Sequence, residues 1–208
     1  MNITGDALVE CEDKKSVYLI ENGNEQKVGT TTERISFLYI EGRVAIQRTQ
    51  SLDSSVLGTR KSLTLVDKSS FKPISFTDYE GDFETIKATY HDDSVQIERP
   101  NQEDIVRPLY NCFDTFSVEL ILRTLPLKTG YVANLLCFNP MLNTEVDVRM
   151  KVIESEKGWR NPNERVDTLK VEVYFGETLQ YYWIDPSRKE MLKQSSNIGD
   201  GLILEFRR

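Results

Sequence analysis

The sequence contains one histidine, His91, among 208 residues, and this scarcity excludes most familiar hydrolytic sites. Serine and cysteine triads need an imidazole or an equivalent base beside the nucleophile. His91 stands in the segment TYHDDSV, whose aspartates and serine are typical of a tight turn. Since no local motif joins His91 to Cys112 or Cys137, we predict no catalytic residue.

The sequence also lacks the spacings that bind metals or phosphates. Cys11, Cys112 and Cys137 are too few and too scattered for a local zinc site or a disulfide framework. None of the 11 glycines belongs to a GxGxxG, Walker or G-x-S-x-G arrangement that opens a helix. We therefore predict no metal and no cofactor.

Basic residues are outnumbered by acidic ones, 26 to 33, and long apolar runs are missing. The net charge of -7 repels phosphate backbones, so nucleic acid is not an expected partner. Apolar runs such as VELILRTLPL reach about half the ~20 residues of a membrane helix, which predicts no transmembrane segment.

The first residues contain no basic stretch followed by an apolar core, as a secretory signal would. We expect either a cytoplasmic protein or an exported one whose signal has been removed. The odd number of cysteines leaves at least one thiol free, which favours a reducing compartment.

What the sequence does contain is a globular composition, with 39% apolar and 28% charged residues. This balance is typical of a soluble folded protein, and all-β chains of this length often form one unit. We predict a single β-rich domain over residues 1–208.

Period-two alternation of apolar and polar residues dominates and predicts strands. It is clearest in TEVDVRMKVIES and DTLKVEVYF, which we expect to pair as long antiparallel neighbours. The other predicted strands are ALVECE, SVYLIEN, EQKVGTTT, RISFLYIE, RVAIQRTQ, TRKSLTLVD, KPISFTDYE, FETIKATY, SVQIERP, YVANLLCF, TLQYYWID, EMLKQSS and GLILEFRR. Short turns such as ENGN and FGET separate many of them, which favours an antiparallel meander.

One segment predicts a helix. Residues 114–125 begin with a capping candidate, Asp114 or Thr115, and end before Pro126. Apolar residues occupy most of the circumference, so the helix has to be covered nearly all round. We expect a curved antiparallel sheet or incomplete β-barrel wrapped around this central helix.

Two further segments, LTLVDKSSFKPISF and YYWIDPSRKEMLKQ, share one form. Each has an apolar strand end, an aspartate (Asp67 or Asp185), a serine two residues later and another apolar strand. Aspartate at the start of a turn accepts backbone N–H bonds, so both segments are predicted to be hairpins. Their recurrence hints at two similar half-sheets.

A few residues are candidates for binding a ligand. Arg123 falls inside the apolar helix, where a buried guanidinium needs a carboxylate or carbonyl partner or could hold an anionic ligand head. Aromatic residues on the strands could line a cavity, although strands also favour aromatics as plain core: Tyr39, Tyr131, Phe138, Tyr181, Tyr182 and Trp183. We take Tyr131, Phe138, Tyr181 and Trp183 as the wall candidates. Trp159, in a polar segment predicted to be a loop, could anchor a protein contact.

The helix, the LPL and GY residues after it and the closing W-I-D-P turn resemble an uncharacterised bacterial β-rich family with a domain of unknown function, over residues 56–208. That family is similar to lipoprotein carriers, in which an incomplete barrel wraps a helix and encloses an apolar cavity. The resemblance implies a half-barrel with lipid or apolar-ligand binding and implies no catalytic residues.

The leading hypothesis is a non-enzymatic protein that holds an apolar or amphiphilic ligand in the concave face, with Arg123 as orienting charge. One alternative is an enzyme, such as an isomerase, cyclase or hydrolase, that uses the same cavity without histidine or metal. The other is a structural or interaction module that binds a protein partner through strand edges or the Trp159 loop.

Overall fold

The computed structural model describes residues 3–208, and its strands form one sheet. The strands are β1 Cys11–Glu21, β2 Asn24–Ile40, β3 Arg43–Ser54, β4 Gly58–Asp67, β5 Pro73–Glu80, β6 Phe83–Tyr90, β7 Ser94–Glu98, β8 Ile105–Pro108, β9 Phe113–Asp114, β10 Val132–Asn139, β11 Thr144–Asn161, β12 Glu164–Phe175, β13 Thr178–Asp185, β14 Glu190–Gly199 and β15 Leu202–Arg207. A 3-10 helix, Thr115–Ser117, leads into the α-helix α1, Val118–Thr124. No helix within residues 3–208 has the length and apolar character of a membrane span.

The sheet consists of two meanders joined at its centre. Strands β1 to β8 pair in sequence on one side, and β10 to β15 pair in sequence on the other. β1 pairs with β15, with Val17 opposite Phe206, and this ladder joins the two halves. The short β9–β10 pair is parallel, while the other pairs are antiparallel. The predicted curved antiparallel sheet is confirmed, and it does not close into a barrel.

The predicted long pair of strands is confirmed as β11 and β12. Met150 lies opposite Val173 and Val152 opposite Val171, and these four side chains are buried. The charged residues that alternate with them face outward, as period-two patterning requires.

Two of the predicted strand boundaries were wrong. The segments ALVECE and SVYLIEN contribute to one continuous strand, β1, and EQKVGTTT and RISFLYIE form one continuous strand, β2. Charged residues interrupt the apolar pattern between the paired segments, which suggested a break. Two of these residues, Lys15 and Glu33, are buried and stay in strand register.

Trp159 lies in strand β11 and not in a loop, so that prediction was also wrong. It lies opposite Arg165 of β12, whose guanidinium is 5.1 Å from the indole centre. Residues 162–163 are enough to reverse the chain, because the side chain of Asn161 accepts the backbone N–H of Asn163 at 3.0 Å. The indole is 53% exposed.

The predicted helix is confirmed in the concave face, although α1 itself covers only part of the predicted range. Asp114 caps the 3-10 turn by accepting the backbone N–H of Phe116 at 2.7 Å. Val118, Leu120 and Ile121 are fully buried in a core to which strands from both halves of the sheet contribute. The helix is therefore covered nearly all round, as its apolar circumference required.

Side chains draw the two ends of the sheet together. Arg99, just after β7, donates to the carbonyl oxygens of Pro140 and Met141 at 3.2 and 3.0 Å. Arg107 of β8 donates to the carbonyl oxygen of Asn143. We call these contacts the arginine clasp. Among the described residues no strand ladder joins β8 to β9 or β10, so the clasp bridges an open seam.

Candidate functional site

A cavity of about 420 Å³ lies on the concave side of the sheet, beside the helix. We call it the concave cavity. It is lined by Asp13, Lys15, Thr31, Glu33, Arg48, Gln50, Thr115, Phe116, Glu119, Asn139, Leu142, Val146, Phe175, Thr178, Gln180, Tyr182, Met191, Gln194 and Phe206. Volumes of this order are typical of small-molecule sites in proteins.

The lining has two chemically different parts. Apolar side chains come from several strands and turns: Leu142, Val146, Phe175, Met191 and Phe206. Charged and amide side chains come mainly from β1, β2, β3, β13 and β14. The cavity can therefore contact an apolar body and a polar group at the same time.

Arg48 of β3 is the centre of the polar part and is only 2% exposed. Its Nε donates to Glu33 at 2.6 Å, its Nη1 donates to the carbonyl oxygen of Phe116 at 2.9 Å, and its Nη2 donates to Glu119. This guanidinium ties the sheet to the helix. Burial lowers its pKa, but the two carboxylates more than offset that effect and the net pKa is raised.

Glu33 of β2 neutralises two buried guanidinium groups. It accepts from Arg48 through one oxygen and from Arg123 Nη1 at 2.9 Å through the other. Burial alone would raise the pKa of this carboxyl, but Arg48, Arg123 and Lys15 lower it to about 2. Glu33 is therefore a carboxylate at neutral pH and holds the network together.

Lys15 of β1 is a third buried cation, with 4% of its surface exposed. Its ammonium donates to Asp13, which also accepts from Arg208 Nε at 2.7 Å. An ammonium has three donors. Within residues 3–208 the bond to Asp13 is the one hydrogen bond recorded for it, so Lys15 retains donor capacity at the cavity.

Strands β13 and β14 add an uncharged polar cluster. The hydroxyl of Tyr182 donates to Gln180, and Gln194 Nε2 donates to the same amide oxygen at 3.1 Å. Burial raises the pKa of Tyr182 well above its usual range, so the phenol stays neutral. In the same lining the hydroxyl oxygen of Thr115 is buried and has no partner among the described residues.

Arg123, the predicted orienting charge, is buried, and two of its nitrogens donate to groups inside the protein. Its Nε donates to the carbonyl oxygen of Lys189 at 2.7 Å, and its Nη1 donates to Glu33. The sequence argument required a carboxylate or carbonyl partner for a guanidinium at this position, and both are present. Arg123 is not part of the cavity lining and acts on it through Glu33.

The four predicted aromatic residues are not brought together around the concave cavity. Tyr131 packs against the core that contains the helix, and Phe138 is buried in a second core with Phe76. Tyr181 and Trp183 lie beside Lys170 on the opposite face of β13 from Tyr182, with the Lys170 ammonium 5.4 and 5.5 Å from the two ring centres. Other residues line the cavity, and the role of these four aromatic residues in binding stays a prediction.

The residues that do line the polar part were missed because charged residues in alternating segments predict a solvent face. Lys15, Glu33 and Arg48 each stand on the inward face of their strand. The pattern of β3 did contain a signal. Arg48 lies two residues after Ile46, which is buried in the core, so both side chains point to the same face of the strand.

A second depression, of about 480 Å³, brings His91 and Cys112 to one surface. His91 is exposed in a turn, as predicted, with its N–H donating to Ser94 O at 2.8 Å. Burial raises the pKa of Cys112 to about 11, so its thiol is protonated at neutral pH and is a poor nucleophile. No hydrogen bond joins the two side chains in the described part of the chain, nor do residues 3–208 contain a cluster of potential metal ligands.

A carboxylate and a tyrosine also meet in the core, as an acid–base site would require. Tyr90 donates its hydroxyl to Asp114, and burial raises the pKa of Asp114 to about 7 although the hydroxyl and the Phe116 N–H lower it. Asp114 lines neither the concave cavity nor the second depression. Its capping of the 3-10 helix accounts for its position.

Comparison with known proteins gives the family and the fold. A family model described as a protein of unknown function, DUF3108, matches residues 18–207. The chain is similar to the crystal structure of a beta-barrel-like protein of the domain of unknown function DUF1849 from Brucella abortus, with 10% identity, coverage of 99% of this chain and 96% of that chain, and a TM-score of 0.57. It is less similar to the hypothetical lipoprotein YmcC from Escherichia coli, with 12% identity, coverage of 93% and 85%, and a TM-score of 0.32. No curated protein matches the chain.

The likeness to the DUF1849 protein extends over nearly all of both chains and shows a shared fold alone. The sequence resemblance to an uncharacterised β-rich family is confirmed, and the match begins well before residue 56. Because the family model covers most of the sequence, the chain belongs to the DUF3108 family of proteins of unknown function.

Proposed function

We propose that this protein is a non-enzymatic binding protein that holds one amphiphilic molecule in the concave cavity. The observation that carries the proposal is the divided lining, in which apolar side chains face a buried charged network across about 420 Å³. Binding sites combine a largely apolar wall with a few polar groups that fix the orientation of the ligand. The lining supplies both parts.

The apolar body of the ligand contacts Leu142, Val146, Phe175 and Phe206. These side chains come from the β10–β11 turn and from strands β11, β12 and β15, so they surround the ligand from one half of the sheet. Burying the ligand's apolar surface against them contributes about 25 cal/mol per Å².

The polar head of the ligand accepts a hydrogen bond from Lys15. The guanidinium of Arg48 already donates through all three nitrogens, whereas the ammonium of Lys15 has donors left after bonding Asp13. An anionic head gains most, because hydrogen bonds between charged groups are about twice as strong as neutral ones. Thr115 and Gln194 supply neutral partners nearby.

Binding in the concave cavity is favoured over catalysis by the state of the buried charged groups that line it. Glu33 and Arg48 neutralise each other, and their pKa values are shifted away from neutrality. A general acid or base works best with a pKa near the working pH. The network therefore provides fixed charges that can orient a ligand, and it is poorly suited to proton transfer.

The first test measures an anionic amphiphile, anilinonaphthalene sulfonate, by fluorescence titration, followed by displacement with decanoate and decanol. Lys15→Met should weaken sulfonate and decanoate binding about ten-fold, because it removes a charge-assisted hydrogen bond, while decanol is less affected. The matched control is Lys14→Met, which removes the same charge from the exposed face of the same strand. Equal effects of the two variants would refute the role of Lys15.

The second test fills the cavity. Val146→Trp places an indole against the apolar wall and should abolish binding of all three compounds, whereas Glu145→Trp puts the same ring on the opposite, exposed face of β11. Wild-type protein that takes up none of the three compounds would refute the proposed function.

A further inference from the structure

Strand β10 has an unpaired side. β11 pairs with β10 along its whole length, whereas β9 pairs only with Cys137 and Phe138. Across residues 3–208, no strand pairs with residues 132–136 on that second side, and no loop bonds to their backbone there. Such an edge presents N–H and C=O groups at every second residue and can pair with another strand.

The edge of β10 carries none of the features that usually prevent pairing. Its sequence, VANLLCFN, contains no charge, proline or glycine. The other end of the sheet, β8, is only four residues long and carries Arg107 and Pro108. Edge strands of natural proteins are normally protected as β8 is, by short length, charge or proline. An edge without such protection indicates a strand that pairs with another chain.

The convex face of this edge is apolar at both ends of the unpaired stretch. Val132 is 57% exposed and Leu136 is 40% exposed, with exposed Asn134 between them. On the concave face Ala133 and Leu135 are buried.

We propose that β10 pairs with β10 of a second copy of this chain, antiparallel about Asn134, to form a symmetric dimer with one continuous sheet. In this register Val132 lies opposite Leu136 of the second copy, and Ala133 lies opposite Leu135. Asn134 lies opposite itself on the two-fold axis. Apolar side chains meet on both faces and no like charges meet, which is the self-complementarity that a two-fold interface needs.

The length of the unpaired edge fits this arrangement. The chain turns just before β10, where the N–H of Tyr131 donates to the carbonyl oxygen of Lys128 at 2.9 Å and Gly130 has a φ of 80°. β9 covers the strand from Cys137 onward. Five residues are therefore free, and their centre is Asn134. A single strand pair buries little surface, so the dimer should be reversible.

The test measures molar mass by light scattering and sedimentation velocity over a concentration series of the full chain. Wild-type protein should dimerise as its concentration rises. Asn134→Lys and Asn134→Asp should each raise the dissociation constant at least about ten-fold, because like charges then meet on the axis. An equimolar mixture of the two variants should restore the dimer as a heterodimer, detected by native mass spectrometry.

The matched control is Val106→Lys, which places the same charge on the exposed edge strand β8 and should leave dimerisation unchanged. Failure of the mixed variants to recover would refute the register. A wild-type chain that stays monomeric throughout would overturn the proposal and leave the edge to a strand of another protein.

Discussion

Asp114 shows how one buried carboxyl can serve structure and still respond to pH. It caps the 3-10 helix through the Phe116 N–H and accepts the hydroxyl of Tyr90. Burial raises its pKa from the usual 3.8 to about 7, and the two donors only partly offset this effect. Its proton is therefore held more tightly in the folded protein than in the unfolded chain.

The free energy of unfolding should therefore depend on pH in a particular direction. Stability from the raised pKa is fully present below about pH 3.8 and is lost as the pH rises to about 7. Asp114→Asn removes this titration and keeps a capping oxygen. Relative to the variant, the wild type should lose at most about 1.4 kcal/mol per pH unit within this window, measured by urea unfolding at several pH values.

A second variant separates this explanation from a simple loss of the cap. Tyr90→Phe removes a donor that lowers the pKa of Asp114, so the window should extend to higher pH. If the difference between wild type and Asp114→Asn were independent of pH, the carboxyl would not titrate as described.

At the level of residues, the sequence was most misleading at the charged residues that lie on the inward face of a strand. Lys15, Glu33 and Arg48 have the parity of core positions, but a charged side chain is almost never fully buried unless it is paired. The partners of Glu33 and Arg48 lie on other strands and on the helix, at separations of up to 90 residues. No local pattern contains that information, so the candidate cavity could not be predicted while the strands that carry it could.

At the level of elements, two turns have the same pattern of hydrogen bonds. In the β4–β5 turn, Asp67 accepts the N–H and hydroxyl of Ser69 at 2.9 and 2.6 Å. In the β13–β14 turn, Asp185 accepts the same groups of Ser187 at 2.8 and 2.6 Å. These donors hold the pKa of both carboxyls below the usual range, although burial alone would raise it. Both hairpins were predicted because the donors lie within three residues of the aspartate.

The two turns should differ in how much they stabilise the protein. Asp67→Ala should cost about 1–2 kcal/mol of unfolding free energy through lost turn hydrogen bonds. Asp185→Ala should cost at least about 1 kcal/mol more, because Asp185 also accepts from Arg160, which is nearly buried. Chemical denaturation measures both values.

Asp53→Ala is the control for this pair, because Asp53 is exposed on β3 and its removal should change stability by less than about 0.5 kcal/mol. Equal costs for Asp67→Ala and Asp185→Ala would contradict the part assigned to Arg160.

Long elements were predictable and short ones were not. The β11–β12 pair alternates over many residues, which makes the strand period plain, and the seven residues of α1 continue the 3-10 turn to give two helical turns or more. β8 and β9 have four and two residues and were missed. They are strands because a neighbour pairs with them, and their own sequence carries too few residues to show a period.

At the scale of the whole molecule, the arginine clasp helps to hold the two ends of the sheet together, beside the apolar cluster of Phe76, Ile97 and Phe138. Arg99 and Arg107 reach carbonyl oxygens in the β10–β11 turn, where no strand ladder exists in the described part of the chain. Charge-assisted hydrogen bonds contribute about 1.5–3 kcal/mol each. Because no strand ladder of the described residues crosses the seam, the seam should still be the region of the sheet that opens first.

The double variant Arg99→Ala, Arg107→Ala should speed amide hydrogen exchange about ten-fold in β7, β8 and residues 140–143. Exchange in the β1–β15 ladder should stay unchanged, because its hydrogen bonds do not depend on the seam. Arg43→Ala, which removes an exposed arginine, is the control. Uniform acceleration across the sheet would show that the clasp supports global stability instead.

The overall topology could be predicted only in part. Turn residues between successive strands indicated a meander, and this is correct within each half. The pairing of β1 with β15 has no turn to announce it, since Tyr18 and its partner Glu205 lie at opposite ends of the sequence. Both halves also contribute side chains to the core that contains the helix, and these contacts too join residues far apart in the sequence.

That central ladder also sets the timing of folding. β1 is translated well before its partner β15, so the central ladder cannot form until β15 has been made. Contacts between such distant residues carry a large loop-closure entropy and are typical of slow-folding proteins. Until β15 has been made, the side of β1 that pairs with it has no strand partner in the nascent chain.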